Sequence, residues 1–86
     1  MSDNTAPQTL HLKALDAISR GEWHVAHETV QDETDRLSCL IHAYLHRLEG
    51  DMGNARYWYG RAGEHMPANT LAQELARLQK GKNDKG

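Results

Sequence analysis

The chain has 86 residues, enough for one small domain and too few for a catalytic domain beside a regulatory one. Its 10 Lys and Arg residues nearly balance 12 Asp and Glu residues, and the formal net charge is −2 with the 6 histidines neutral. This balance argues against non-specific nucleic-acid binding, which needs an excess of positive charge. No apolar run approaches the roughly 18 residues that a membrane span needs. We therefore expect neither a nucleic-acid partner nor a membrane partner.

Cysteine content and the composition of the N-terminal stretch predict a cytoplasmic protein. Cys39 is the only cysteine, which excludes a disulfide framework and a multi-cysteine zinc site within one chain. The stretch 1–8 is polar and lacks the basic end and the apolar core of a secretory signal. We interpret 1–8 as a disordered lead, 9–80 as a single α-helical domain and 81–86 as a disordered basic tail.

The first two predicted helices are short and end at clear turn signals. The first begins at the candidate N-cap Thr9 and ends at Gly21. Its apolar face has helical spacing: Leu10, Ala14, Ala17 and Ile18. The second begins near Glu22 and carries an apolar face of its own: Trp23, Ala26 and Val30. Asp32 and Thr34 are candidate N-caps for the helix that follows.

The third predicted helix has the strongest pattern in the chain. Its apolar stripe is broad enough to face a core: Leu37, Leu40, Ile41, Tyr44, Leu45 and Leu48. Gly50 ends this helix, and Asp51 caps a fourth helix that runs to about His65, before Pro67. Three glycines in the fourth helix predict close packing of a neighbouring backbone: Gly53, Gly60 and Gly63.

A fifth helix is predicted from Thr70, which has the capping-box spacing with Gln73, to Gly81. Its apolar stripe is narrow: Leu71, Leu75 and Leu78. No alternating apolar and polar run suggests a β-strand. The chain is therefore predicted to be all-α, with about five helices.

Part of the chain resembles a known helical repeat. The segment from Gly50-Asp51 through Ala55, Tyr59, Ala62 and Pro67 resembles the second half of a tetratricopeptide repeat, and the resemblance is best over 37–67. It implies two helical hairpins of that type. In this arrangement the fifth helix, or a second chain, caps the core.

A second resemblance links three polar segments into one unit. They are Trp23 to Glu28, His42 to Asp51 and Asn54 to Tyr59, and together they resemble a small group of uncharacterised bacterial proteins. This resemblance implies no activity.

Histidines at helical spacing form the main candidate site. His42, His46 and Glu49 lie four and three residues apart, so they share one helix face. Antiparallel packing of the preceding helix could add His27 or Glu28. Several imidazoles with a carboxylate suit Zn²⁺ or another divalent metal. We therefore select as candidate metal ligands His27, His42, His46 and Glu49.

The same histidines also suit two other roles. They could hydrogen-bond within a helix interface, which the tetratricopeptide resemblance favours because it turns His42 and His46 toward the partner helix of their repeat. They could also serve in acid–base catalysis near neutral pH. No nucleophile motif or phosphate loop accompanies them, so no catalytic residue is assigned. No cofactor is expected apart from the possible metal ion.

Aromatic residues form a candidate partner-binding surface. Tyr57, Trp58 and Tyr59 are consecutive, and successive helical side chains point about 100° apart, so they cannot all enter one core. Tyr and Trp are favoured at binding hot spots. We select Tyr44, Tyr57 and Trp58 as candidate contacts with a protein partner or a second copy in a homodimer. The alternative is ordinary packing against the fifth helix.

Two functions from different classes follow. The first is a small tetratricopeptide-like module for protein–protein interaction or self-association. The alternative is a divalent-metal-binding protein or metal-dependent enzyme that uses the His/Glu cluster.

Overall fold

A computed structural model of the chain describes residues 6–83, with side chains over 9–81. This part contains helices and no β-strand, which confirms the all-α prediction. The five helices are α1 (Ala6–Ser19), α2 (Trp23–Val30), α3 (Arg36–Leu48), α4 (Met52–Arg61) and α5 (Leu71–Asn83). None of the helices in the described residues is both long and apolar enough to cross a membrane.

The ends of the first and last helices differ from the prediction. Helix α1 begins at Ala6, so Thr9 lies inside the helix and is not its N-cap. Helix α5 continues through Gly81 to Asn83, so Gly81 does not end it. The predicted disordered lead and tail fall partly on 1–5 and 84–86, which lie outside the described residues.

Glycines in a left-handed conformation end three of the helices. Gly21, Gly50 and Gly63 have φ angles of 74°, 82° and 85°, which L-residues with a side chain adopt only with strain. Gly63 therefore follows α4 rather than lying within it. The predicted close packing at the glycines is wrong. An added Cβ at Gly60 or Gly63 would meet nothing within 4 Å, and at Gly53 only the Asp51 carboxylate at 4.0 Å.

Side-chain caps fix the beginning of the later helices. The N-cap of α3 is Asp35, whose carboxylate accepts a hydrogen bond from the Ser38 amide at 3.1 Å, and not Asp32 or Thr34. Asp51 caps α4 as predicted. Thr70 and Gln73 form the predicted capping box.

Helix α3 lies at the centre of the molecule and packs against each of the other four helices. Every residue from Ser38 to Arg47 is buried, because the neighbouring helices cover polar as well as apolar side chains of this segment. Leu48, the last residue of the predicted apolar stripe, is 41% exposed. Helix α1 packs closely on α2, and α3 packs closely on α4. A tetratricopeptide-type arrangement of these two pairs stays a prediction.

A buried polar network attaches α5 to the rest of the fold. The fully buried Glu74 carboxylate accepts hydrogen bonds from Tyr59 Oη at 2.7 Å, from Asn69 Nδ2 at 2.9 Å and from Arg77 Nε at 2.9 Å. Arg47 donates to Tyr59 Oη and to Asn69 Oδ1. Burial alone would raise the pKa of Glu74, but these hydrogen bonds outweigh it and lower the pKa to about 2.

Candidate metal centre

Three histidine side chains from two helices converge on one point. His27 comes from α2, and His42 and His46 lie one turn apart on α3. One ring nitrogen of each lies within 4.8 Å of a ring nitrogen of the other two. Packing of α2 on α3 thus brings His27 next to His42 and His46, as the sequence predicted. We call these three residues the histidine cluster.

The rings of the cluster have distinct orientations. His42 and His46 are nearly parallel, with centroids 5.0 Å apart and an interplanar angle of 25°. The His27 ring is almost perpendicular to both, at 4.6 Å and 88° from His42 and at 5.4 Å and 79° from His46. The His27 ring is therefore roughly perpendicular to the two rings from α3, and the three imidazoles do not form a single stack.

The two tryptophans of the chain form walls around this cluster. Trp23 stacks on His27 with centroids 4.8 Å apart, and its indole N–H donates to the Leu45 carbonyl at 2.8 Å. Trp58 stacks on His42 at 3.9 Å. The Trp23 wall was missed at the sequence level, although its spacing of four residues from His27 on one helix was an available signal.

Burial favours the neutral form of two members of the cluster, His42 and His27. His42 is 4% exposed and His46 is 8% exposed, whereas His27 is half-buried. Burial, followed by the nearby His27 and His46, lowers the pKa of His42 to about 4. Burial also lowers the pKa of His27. A neutral imidazole offers a nitrogen lone pair to an ion, and an imidazolium does not.

One nitrogen of the cluster lacks a hydrogen bond. Nδ1 of His42 is buried and has no hydrogen-bond partner among the residues that the structure describes. Buried side-chain nitrogens are normally partnered, and leaving one unsatisfied costs about 1–3 kcal/mol. A histidine that served only to join two helices would be expected to use this atom.

Glu49 lies beside the cluster rather than within it. Its Oε1 is 2.6 Å from Nδ1 of His46, so the carboxylate holds the orientation of that ring. Metal-binding histidines commonly have such a carboxylate on the nitrogen remote from the ion. Carboxylates of Glu49 and Asp51 also lie within 4.8 Å of a His46 nitrogen. Both carboxylate oxygens of Asp51, however, accept hydrogen bonds from Asn54, one from its backbone amide and one from its side-chain amide.

The three candidate partner-binding aromatics occupy different environments. Tyr44 is buried, so its ring is not available at the surface. Tyr57 is 53% exposed, which agrees with the expectation that one of the three consecutive aromatics points outward. Trp58 is half-buried against His42, and the Arg61 guanidinium lies 5.1 Å from its ring centroid.

A second polar cluster includes the types of residue found in hydrolase triads but not their geometry. His11 Nε2 lies 2.6 Å from Asp35 Oδ2 and 3.1 Å from Ser38 Oγ. In a catalytic triad the acid and the nucleophile contact opposite ring nitrogens. Here one nitrogen contacts both, so the contact links α1 to the N-cap of α3. His11 was not among the site residues predicted from the sequence.

The histidine cluster fits an ion after a small contraction. Two nitrogens at about 2.0–2.1 Å from a tetrahedral ion are about 3.4 Å apart. The nitrogens here lie within 4.8 Å of one another, so binding would draw the rings together by up to about 1.4 Å. Rotation about side-chain torsions supplies movement of this size, since His27 is only half-buried.

Comparison with known proteins gives no assignment. No protein-family model, no curated protein and no solved structure matches this chain.

Proposed function

We propose that this protein binds a divalent transition-metal ion through His27, His42 and His46. The observation that carries the proposal is the buried His42 nitrogen without a hydrogen-bond partner, on a ring that converges with two other imidazoles. Burial already disfavours protonation of two of the three donors, His42 and His27, so fewer protons would have to leave when an ion binds.

The donor set selects a class of ion. Three imidazole nitrogens suit Zn²⁺, Co²⁺, Ni²⁺ and Cu²⁺, whereas Ca²⁺ and Mg²⁺ take oxygen ligands. Cys39 lies on the same helix but is not among the converging donors in the described part of the chain. Zn²⁺ is the first ion to test because it combines tetrahedral geometry with imidazole ligands.

The primary experiment is native mass spectrometry of the untagged protein after addition of Zn²⁺ and removal of excess metal. We expect one Zn²⁺ per chain, lost on acidification because protons compete for the imidazoles. His27→Gln should lose the ion while keeping α3 intact. His65→Gln is the matched control, because His65 is exposed and lies outside the cluster.

Circular dichroism of each variant separates metal loss from loss of fold. The proposal requires His27→Gln to keep the helical spectrum of the parent. If folded His27→Gln bound Zn²⁺ as tightly as the parent, or if the parent bound none, the histidine cluster would not be a metal site.

An apolar cleft supports an interaction module as the second candidate function. The cleft has a volume of about 410 Å³ and lies between α1, the α2–α3 pair and α5. Its lining residues include Trp23, Tyr44, Leu75 and Leu48, of which Leu48 is 41% exposed. The partner proposed is a second copy of the chain. Sedimentation velocity should then show a dimer that Leu48→Glu converts to a monomer, whereas a monomeric parent would exclude this candidate.

A further inference from the structure

We infer that the ion bound by the histidine cluster keeps one open coordination position, which takes water and exchanges it for small monodentate ligands. This inference rests on the proposed metal site and extends it from a closed structural centre to one that binds an outside ligand. Closed zinc sites have four protein ligands, whereas sites that bind substrate or water have three.

The histidine cluster has too few donors to close a four-coordinate site. The histidine cluster supplies three converging donors, and in the described residues only Glu49 and Asp51 add further donors beside His46. Both carboxylates are already engaged, that of Glu49 with Nδ1 of His46 and that of Asp51 with Asn54. His24 is exposed, and its ring centroid lies 6.1 Å from that of Trp23, on which His27 stacks. It is not part of the converging group.

The cluster is buried on its α3 side and partly exposed on its His27 side. The two histidines from α3 are almost fully buried, while His27 is half-buried and both tryptophan walls retain exposed surface. An ion held between these residues would therefore have protein on the α3 side and access to solvent on the His27 side. A position that faces solvent is filled by water when no fourth side chain reaches it.

Charge indicates which outside ligands the position accepts. Glu28 and Glu49 both act electrostatically on His27, and the carboxylates of Glu49 and Asp51 lie within 4.8 Å of a His46 nitrogen. These carboxylates offset the positive charge of a bound divalent ion. This environment disfavours phosphate and other multiply charged anions, and it accepts neutral or singly charged ligands such as water, imidazole and azide.

Cobalt substitution and azide titration test the open position. Co²⁺ is added to the untagged full chain, and its visible absorption bands report both binding and coordination. We expect azide to shift these bands with saturation at one azide per Co²⁺, and phosphate at the same concentration to leave them unchanged. The control His65→Gln should behave as the parent does.

The outcomes separate this inference from the proposed function. Co²⁺ bands that do not respond to azide would leave the metal site standing and overturn the open position. Absence of Co²⁺ bands in the parent would overturn both. If His24→Gln or Glu28→Gln gained an azide response that the parent lacked, that side chain would be the fourth ligand and the centre would be closed.

Discussion

Acidification provides the sharpest test of the burial of His42. Its pKa is about 4 in the folded protein, against 6.5 for an ordinary histidine. The proton therefore binds the unfolded chain more tightly than the folded one. Stability from the neutral ring is fully present above about pH 6.5 and is lost progressively as the pH falls toward 4. The ionisable neighbours that oppose its protonation are His27 and His46.

The expected loss is large for a chain of this size. At 1.36 kcal/mol for each pH unit between the two pKa values, complete protonation lowers the free energy of unfolding by about 3 kcal/mol. Domains of 60–100 residues change their Tm by about 4–8 °C for each kcal/mol. The Tm should thus fall by roughly 12–24 °C across this pH range. His27, whose pKa is also lowered, acts in the same direction.

Thermal unfolding followed by circular dichroism from pH 7 to pH 4, with EDTA present, measures this loss. The matched variant is His42→Leu, which replaces the titrating ring by an apolar side chain at the same buried position. Its absolute stability changes because the contact with Trp58 changes. The test is therefore how far the Tm falls between pH 7 and pH 4, and this fall should be smaller for His42→Leu than for the parent. His65→Gln should keep the parent's dependence.

The buried Glu74 titrates in a separate range, so it does not obscure this result. Its pKa is about 2 in the folded protein against an ordinary 4.5, so its contribution is lost only below about pH 4.5. A flat parent curve between pH 6.5 and 4.5 would refute the burial argument. An equally steep curve for His42→Leu would show that another group is responsible.

Three further predictions concern the network, the turns and the ion. Glu74→Gln should lower the free energy of unfolding by about 3 kcal/mol, because the buried hydrogen bonds and the ion pair with Arg77 lose the negative charge. Urea titrations measure this change, and a loss under about 1 kcal/mol would contradict the prediction. Gly60→Ala should stabilise α4 by up to about 1 kcal/mol in the same assay, since its Cβ meets nothing. Gly50→Ala should destabilise by a similar amount because φ is 82° there, and equal effects at the two glycines would refute the argument. Excess Zn²⁺ at about 100 times Kd should add about 2.7 kcal/mol in thermal unfolding, and His27→Gln should abolish the gain.

Local patterns predicted the helices because the signals there are short in range. The stripe of α3, the Asp51 cap and the Thr70 capping box depend on residues within one or two turns. The cap and the capping box are present as predicted, and the middle of the stripe is buried, whereas Leu48 at its end is 41% exposed. The juxtaposition of His27 with His42 also followed, since it needed only two adjacent helices to pack antiparallel with their histidines inward.

Features that depend on three-dimensional packing were not predictable in the same way. Tyr44 looked available for a partner, but it is buried. Helix α3 contacts four other helices, and no pattern within α3 reports how many neighbours it has. The role of Glu49 depends on which nitrogen of His46 it contacts, and residue spacing does not distinguish the two. The network around Glu74 joins side chains from α3, α4 and the segment 69–77, and no local spacing relates these parts of the chain.

The contrast between the two buried polar groups supports a binding role for the histidine cluster. Around Glu74, hydrogen bonds compensate the burial of a charge, which is what a structural network requires. At His42, a buried nitrogen has no such compensation among the described residues, within a helix whose residues 38–47 are all buried. A leucine there would fill the core without that cost. In a domain of marginal stability, an ion that binds only the folded chain would add to the free energy of unfolding, so the metal-loaded form should be the more stable state of this protein.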